Sequence, residues 1–274
     1  MSNEKLTRDQ QREAARAKAK AIREAQKKGE GRRKVAILVS VLAAIIAIIS
    51  LIVWAVLGAA TGSTEKGASP KTALFNGGIS IGADLAIAGS AQDVDTSVTK
   101  IVLYEDPQCP ICKAFEEPIM PAILELVKTG KYSLELHPIS FLDGHSANEY
   151  SSRAASAMLC AADFAPTKFI DFHKLLFTKQ PEENSAGPSS EELATTAREV
   201  GISDANVLDC ITSNKYATWA KNQGRDIYIG KVPGSNLTFG GTPFVMVNGQ
   251  QYQIRSANPA DFIQWLETVA PVAK

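Results

Sequence analysis

The sequence is poor in metal ligands, with four cysteines and three histidines among its 274 residues. A structural zinc site takes four such side chains, usually supplied as two close pairs. Only Cys109 and Cys112 form a close pair. The other candidate ligands stand alone in the chain, and they are Cys160, Cys210, His137, His145 and His173. This scatter disfavours structural zinc, and we expect neither a resident metal nor another cofactor.

Charged residues are missing from one long stretch, residues 35–57. An apolar helix of about 20 residues is enough to cross a bilayer. The preceding segment, residues 1–34, is rich in Lys and Arg up to the start of the apolar stretch. The positive-inside rule therefore predicts a single-pass membrane anchor, with the N-terminus cytoplasmic and the rest outside the cytoplasm. A cleaved signal peptide is the alternative, but its apolar core would be shorter and its charged segment less extended.

The chain also has no excess of either charge, since 29 basic residues balance 29 acidic ones. The zero net charge is the sum of a basic tail and a mildly acidic remainder. The predicted anchor places these two parts on opposite sides of a membrane. The tail has too few apolar residues to bury a core. We interpret it as a solvated topology signal that contacts anionic lipid, and we expect no nucleic-acid partner.

The residues after the anchor divide into a linker and one domain. Residues 58–73 are rich in Gly, Ser and Thr and predict a flexible linker. Residues 74–274 are about 200 residues, a length that suits a single domain. A helical pattern fills about residues 146–230, in the middle of that domain, and predicts an insertion between two α/β parts.

The α/β parts flank this insertion. The first is an apolar strand at 101–104, a helix in which Pro118 and Pro121 predict a kink, and a strand over Tyr132–Ile139. The second is a hairpin in which Asn248-Gly249 joins strands 244–247 and 252–254. A last helix starts at Asn258-Pro259.

Within the insertion, helix starts are predicted from capping signals. Ser146 with Glu149 and Ser189 with Glu192 both have the capping-box spacing, and Ser203 opens a further helix. His173 lies on an apolar helix face, and we interpret it as a core or interface histidine rather than a catalytic one.

The pair Cys109-Pro110-Ile111-Cys112 lies at the turn between the first strand and the kinked helix. Unpaired backbone N–H groups and the helix dipole stabilise a thiolate at such a turn, and the thiolate is the species that attacks disulfides. The spacing therefore predicts redox chemistry at Cys109 and Cys112.

Cys160 and Cys210 each lie on a predicted helix with apolar neighbours. Disulfides persist outside the cytoplasm, so the predicted compartment favours a structural bridge between them over two buried free thiols. Such a bridge would close a loop of about 50 residues, worth about 4 kcal/mol by chain entropy.

Taken together, these elements resemble the DsbA-like thiol-disulfide oxidoreductases of the thioredoxin superfamily, in their membrane-anchored bacterial form. The resemblance depends on residues 106–112, the proline-containing helix and residues 240–244. It implies an α/β thioredoxin fold with a helical insertion, preceded by one transmembrane helix. It also implies that Thr242 and a cis Pro243 contact the substrate beside the active-site disulfide.

Two departures from the family pattern concern the active site. The position of the family's buried acid, six residues before the first cysteine, is Leu103, so Glu105 or Asp106 would have to handle protons. The dipeptide between the cysteines has Ile111 where strongly oxidising relatives have a histidine, which predicts a milder oxidant.

The predicted activity is that of an extracytoplasmic oxidase acting on reduced or misoxidised secreted proteins. The resemblance suggests a DsbB-like or VKOR-like membrane protein as its redox partner. A membrane-anchored reductase or disulfide isomerase on the same fold is the alternative, because these residues do not fix the direction of electron flow. A copper metallochaperone is a third hypothesis, with His145 as its only loop histidine.

Overall fold

A six-stranded mixed sheet organises the chain in the computed structural model, which describes residues 67–271. The strands are β1 (Ala73–Leu74), β2 (Gly78–Ile81), β3 (Thr99–Glu105), β4 (Tyr132–Pro138), β5 (Phe244–Val247) and β6 (Gln250–Gln251). The α-helices are α1 (Pro110–Lys128), α2 (Tyr150–Phe164), α3 (Phe169–Thr178), α4 (Ser190–Glu199), α5 (Ala205–Thr212), α6 (Ala217–Ile229) and α7 (Pro259–Val269). This order confirms the predicted α/β architecture with a helical insertion.

The strand order is β1-β2-β4-β3-β5-β6. Strands β3 and β4 pair in parallel, because α1 returns the chain to the same end of the sheet, and the other pairings are antiparallel. β3 and β4 are central strands covered on both faces, which explains the apolar run at residues 101–104 of β3 and the burial of every residue of β4.

Side chains alternate between the two faces of β3 and so supply two cores. Ile101 and Leu103 belong to the larger core, with Cys112 of α1 and much of the insertion. Val102 and Tyr104 belong to the smaller core on the other face, with aromatic and aliphatic side chains from the segment before β5 and from β5 itself. The odd-numbered face of β3 is therefore the one that meets the cysteine pair.

Helix α1 is a single helix of 19 residues that contains both Pro118 and Pro121. Its buried face includes Phe115, Ile119 and Ile123, which pack in the larger core. The buried face of α1 continues past Pro118 and Pro121, the two positions at which the sequence predicts a kink.

Of the three helix starts predicted within the insertion, two are wrong and one is confirmed. Glu149 has a left-handed backbone (φ 58°), so α2 begins at Tyr150, and the Ser146 hydroxyl accepts from the Tyr150 N–H instead of forming a capping box. Asp204, not Ser203, caps α5. The capping box of Ser189 and Glu192 is present at α4.

The predicted hairpin turn is confirmed, but its second strand is misplaced. Asn248 (φ 50°) and Gly249 (φ 73°) both adopt the left-handed backbone that a tight two-residue hairpin turn needs. The second strand is the two-residue β6 directly after the turn, not 252–254, and one further hydrogen bond runs from the Tyr252 N–H to the Val245 carbonyl oxygen. The last helix starts as predicted, with the Asn258 side chain accepting from the Ala260 N–H.

Within residues 67–271, no helix combines the length and apolarity needed to cross a bilayer. The predicted tail (1–34) and anchor (35–57) lie outside the described residues, as does most of the predicted linker.

Candidate active site

The cysteine pair lies at the N-terminus of α1, directly after β3. Cys109 is the N-cap residue and Pro110 takes the first helical position, where its missing N–H removes no helical hydrogen bond. Both cysteines are free thiols in this structure. Cys112 has no exposed surface and Cys109 only 5%, whereas Ile111 between them is 60% exposed. The loop therefore presents Cys109 at the surface and holds Cys112 behind it.

The two sulfurs have opposite acidities. The pKa of Cys109 is lowered to about 6, first by a hydrogen bond from Cys112, against the effect of burial, and further by Thr242 and the backbone of Cys112 and Ile111. Burial raises the pKa of Cys112 well above its ordinary value, and the neighbouring Cys109 and Glu105 charges add to the effect. Near neutral pH the pair is thus one thiolate and one thiol.

The segment before β5 completes the front of the site. The peptide bond between Thr242 and Pro243 is cis, and the Thr242 carbonyl oxygen lies 3.3 Å from the Cys109 sulfur. The structure therefore brings Thr242 and Pro243, 133 residues along the chain, to the first cysteine.

Asp106 is buried and fully engaged in hydrogen bonds. Its carboxylate accepts from the backbone N–H groups of Gln108, Phe141 and Leu142 at 2.7–2.8 Å and from the Ser151 hydroxyl at 2.7 Å. Burial raises its pKa to about 6, against these hydrogen bonds. We interpret Asp106 as the residue that fixes the loop before Cys109, since its oxygens are already occupied.

Glu105 is also fully buried, and its carboxyl contacts two titratable side chains. Oε1 lies 2.6 Å from Nε2 of His173, and the carboxyl also shares a hydrogen bond with Glu116. Burial raises the pKa of Glu105 to about 8, and the charges of Asp106 and Cys109 contribute. Of the two acids predicted to handle protons, Glu105 is the one whose side-chain partners can themselves exchange protons, and it lies on the Cys112 face of the sheet.

Glu116 joins this buried group, and sequence reasoning missed it. It lies four residues after Cys112 on α1, a spacing that places both side chains on the same helix face. Its Oε2 lies 3.6 Å from Nδ1 of His173. The burial predicted for His173 is confirmed, but its ring contacts two carboxyl groups rather than apolar neighbours alone. The i, i+4 spacing from Cys112 is the sequence signal that could have identified Glu116.

Among the described residues, one group is close enough to surround a metal ion, and it consists of Glu105, Glu116 and His173. The 2.6 Å separation of Glu105 from His173 is a hydrogen-bond distance. Two ligands of one tetrahedral zinc ion, each about 2.0 Å from it, would lie about 3.3 Å apart. The spacing therefore favours a hydrogen-bonded network over a metal site.

Gln180, just beyond α3, is a second residue that sequence reasoning missed. Its amide donates to the carbonyl oxygens of Pro107 and Cys109, at 2.8 and 2.9 Å. It ties the active-site turn to the insertion, although nothing in its local sequence marks it.

The remaining cysteines lie in the insertion. Cys160 of α2 and Cys210 of α5 form a disulfide with a Cα–Cα distance of 5.8 Å. Both are buried among apolar side chains. His145, the loop histidine considered for copper, lies in a short 3-10 turn, Asp143–His145, outside the network around Glu105.

Comparison with known proteins gives a family match and several structural matches. A family model described as Thioredoxin matches residues 95–268. Serine/threonine-protein kinase PknE of Mycobacterium tuberculosis is 31% identical over 170 residues, which are 59% of this chain. The match spans only 29% of that kinase's length, so its activity as a whole is not transferred.

Among solved structures, reduced DsbA from Mycobacterium tuberculosis is similar, with TM-score 0.57 and 27% identity over 71% of this chain and 93% of that one. DsbG from the same organism gives TM-score 0.56 and 28% identity, over 72% and 89%. MdbA from Actinomyces oris, at 22% identity and TM-score 0.56 over 76% and 96%, supports the fold alone.

Proposed function

We propose that this chain, which belongs to the thioredoxin family and is a disulfide oxidoreductase, forms disulfides in proteins outside the cytoplasm. The observation that carries the proposal is the arrangement of Cys109. It caps α1 with a pKa of about 6, faces Thr242 and Pro243, and has the buried Cys112 behind it. A stabilised Cys109 thiolate favours the reduced enzyme, and that preference makes the Cys109–Cys112 disulfide an oxidant.

In the first step, a substrate thiolate attacks the Cys109 sulfur of the oxidised pair. A bond forms between the substrate sulfur and Cys109, the Cys109–Cys112 bond breaks, and its electron pair goes to Cys112. Because burial raises the pKa of Cys112, this sulfur then takes up a proton. We assign the delivery of that proton to Glu105.

In the second step, another thiolate of the same substrate attacks the substrate sulfur of the mixed disulfide. The substrate leaves with a new disulfide, and Cys109 leaves as a thiolate. Two electrons have passed to the enzyme, so each turnover requires an oxidant. A quinone-linked membrane protein of the DsbB or VKOR type is the partner class that the family resemblance suggests.

The surface around Cys109 suits an unfolded protein segment. Ile111 is exposed beside the sulfur, and Phe141, next to the Asp106 loop, contacts the exposed Tyr228 with ring centroids 5.3 Å apart. The backbone of Thr242 would pair with an extended substrate chain. Reduced or misoxidised secreted proteins, which expose apolar segments and thiols, have this chemistry.

The proposed location outside the cytoplasm is supported by two features. A structural disulfide between Cys160 and Cys210 suits an oxidising compartment. The apolar stretch 35–57 with its basic flank supports a membrane anchor with the N-terminus in the cytoplasm.

The test is to equilibrate the full chain in glutathione buffers and to assay oxidation of a reduced secreted protein. We expect a reduction potential near or above about −180 mV together with net disulfide formation. A potential near about −270 mV, with no net oxidation, would replace the oxidase with a reductase. Rearrangement of scrambled disulfides without net oxidation would identify an isomerase instead.

A further inference from the structure

The buried sulfur of Cys112 needs a path for its proton. In the proposed reaction Cys112 gains a proton when substrate is oxidised and loses one when the enzyme is reoxidised. At the front, the path to Cys112 passes Cys109 and the Thr242 carbonyl, where the substrate would bind. Cys112 itself has no exposed surface. A proton that moves during the mixed-disulfide stage therefore needs another way in.

Behind Cys112, the network of Glu105, His173 and Glu116 spans three elements: β3, α3 and α1. Glu105 lies on the same face of β3 as Leu103, the face that meets α1, and its electrostatic effect reaches Cys112. Its Oε1 contacts Nε2 of His173 at 2.6 Å, and its carboxyl shares a hydrogen bond with Glu116, whose Oε2 lies 3.6 Å from Nδ1 of His173. Two buried carboxyl groups joined by a hydrogen bond can pass a proton from one to the other.

The outer end of this network opens into a groove between α1 and α3. The groove has a volume of about 160 Å³ and is lined by Glu116 and His173 together with apolar residues and Lys174. That volume exceeds the 10–15 Å³ or so that one water molecule needs. Glu116 reaches this groove with 7% of its surface exposed. Solvent protons can therefore reach the network from the side of α1 away from Cys109.

We propose that Glu116 carries protons between this groove and Glu105, which His173 holds in place, so that Cys112 exchanges its proton through the back of the active-site helix. This inference rests on the proposed function. During substrate oxidation, Cys112 takes the proton of Glu105, and Glu105 takes one from Glu116 through the hydrogen bond between their carboxyl groups. Glu116 regains its proton from the groove, and the sequence reverses on reoxidation.

The charges around the network fit this role. Burial raises the pKa of Glu116, as it raises that of Glu105, and it lowers the pKa of His173. At neutral pH the network is therefore close to neutral and lacks a fixed ion pair, which would hold its protons in place. The other charged groups that face it are Asp106 and Cys109 on the inner side, and Glu117 and Lys174 at the groove.

A matched comparison exists within the same chain. His137 is also a buried histidine paired with a glutamate, Glu135, at 3.0 Å. It stacks on Tyr104 with ring centroids 4.0 Å apart and so lies on the opposite face of the sheet from Cys112. His137→Gln tests for general loosening of the fold without touching the proposed path.

The experiment uses the full chain with the substitutions Glu116→Gln, His173→Gln and His137→Gln, each checked for folding by circular dichroism. Reduced enzyme is mixed with oxidised glutathione, and quenched-flow mass spectrometry separates two steps. The first is attack by Cys109, which gives a mixed disulfide. The second is closure by Cys112, which must lose its proton. Both are followed from pH 5 to 9, in H₂O and in D₂O.

We expect Glu116→Gln and His173→Gln to slow closure about tenfold or more at pH 7, since a positioned acid–base group contributes about 10²–10⁴-fold. The pH profile of closure should shift and its solvent isotope effect should change, whereas the first step and the His137→Gln enzyme remain as wild type. Glu116→Gln, which keeps the size of the side chain, decides the result if His173→Gln does not fold.

Unchanged closure kinetics in both variants would overturn the proposal, as would equal slowing in His137→Gln. Stoichiometric zinc that is lost in Glu116→Gln would also overturn it, because the network would then be a metal site. Failure of the wild-type enzyme to form any mixed disulfide is a different result, since it removes the proposed function itself.

Discussion

The chain contains two cysteine pairs in opposite surroundings. Cys109 and Cys112 are separated by two residues at the N-terminus of α1, where Cys109 is the N-cap residue, and they follow the buried acids Glu105 and Asp106 in the chain. Cys160 and Cys210 are 50 residues apart and join two helices within an apolar core. Both pairs are largely hidden from solvent, so burial alone does not separate a redox pair from a structural one.

The difference lies in what stabilises each sulfur. Around Cys109, a helix N-terminus and several hydrogen bonds stabilise the thiolate, so the reduced state is favoured. Cys160 and Cys210 are buried in the larger apolar core, and burial in apolar surroundings disfavours a thiolate. The surroundings of Cys109 therefore favour exchange of its disulfide, and the surroundings of Cys160 and Cys210 favour a permanent disulfide.

The largest expected effect is on activity and comes from the first pair. Cys109→Ser should abolish exchange with a reduced protein, because the attacked sulfur is gone. Cys112→Ser should instead accumulate mixed disulfides, which a non-reducing gel reveals. The matched control is the double substitution of Cys160 and Cys210 by Ala, which should retain exchange once folded. Wild-type rates in Cys109→Ser would contradict the assigned role.

The next largest effect is on stability and comes from the second pair. Replacing Cys160 and Cys210 by Ala should lower the free energy of unfolding by about 4 kcal/mol, because a loop of about 50 residues is no longer closed in the unfolded chain. Urea unfolding of both proteins, with Cys109 and Cys112 kept reduced, measures the difference. A change of less than about 1 kcal/mol would mean that the apolar core, not the bridge, holds α2 and α5 together.

A third prediction concerns pH. The pKa of Cys109 is lowered in the folded protein, so its stabilising effect is present above the ordinary thiol pKa and is lost as pH falls through about 6. Iodoacetamide should therefore modify Cys109 with a midpoint near pH 6, and Cys112 only after unfolding. A midpoint above pH 8 would show that the Cys109 thiolate is not stabilised, and the proposed difference between the two cysteine pairs would then be wrong.

A fourth prediction concerns Glu105→Gln. The pKa of Glu105 is raised to about 8 in the folded protein, so its contribution to stability is fully present below its unfolded pKa and is lost as pH rises through 8. The reduced variant should therefore become more stable than reduced wild type between about pH 4 and 8, by a margin that grows with pH. Urea unfolding at several pH values measures this margin. A margin that does not depend on pH would show that Glu105 does not titrate in this range.

Local patterns predicted much of the fold, because they depend on neighbours in sequence. The Asn248-Gly249 turn, the capping box at Ser189 and the start of α7 follow from backbone preferences over a few residues. The capping pattern at Ser146 failed because the same spacing also occurs in a turn outside a helix, and only the surrounding chain decides between them.

The sequence by itself determined the position of the reactive cysteine pair, because two cysteines at a strand-to-helix turn need only that turn to stabilise a thiolate. The tertiary structure decided what surrounds the pair. Glu105 and His173 are 68 residues apart, and Asp106 meets Ser151 across 45 residues, so no local signal joins them. Their protonation depends on a buried environment that exists only after the sheet and the insertion have packed together.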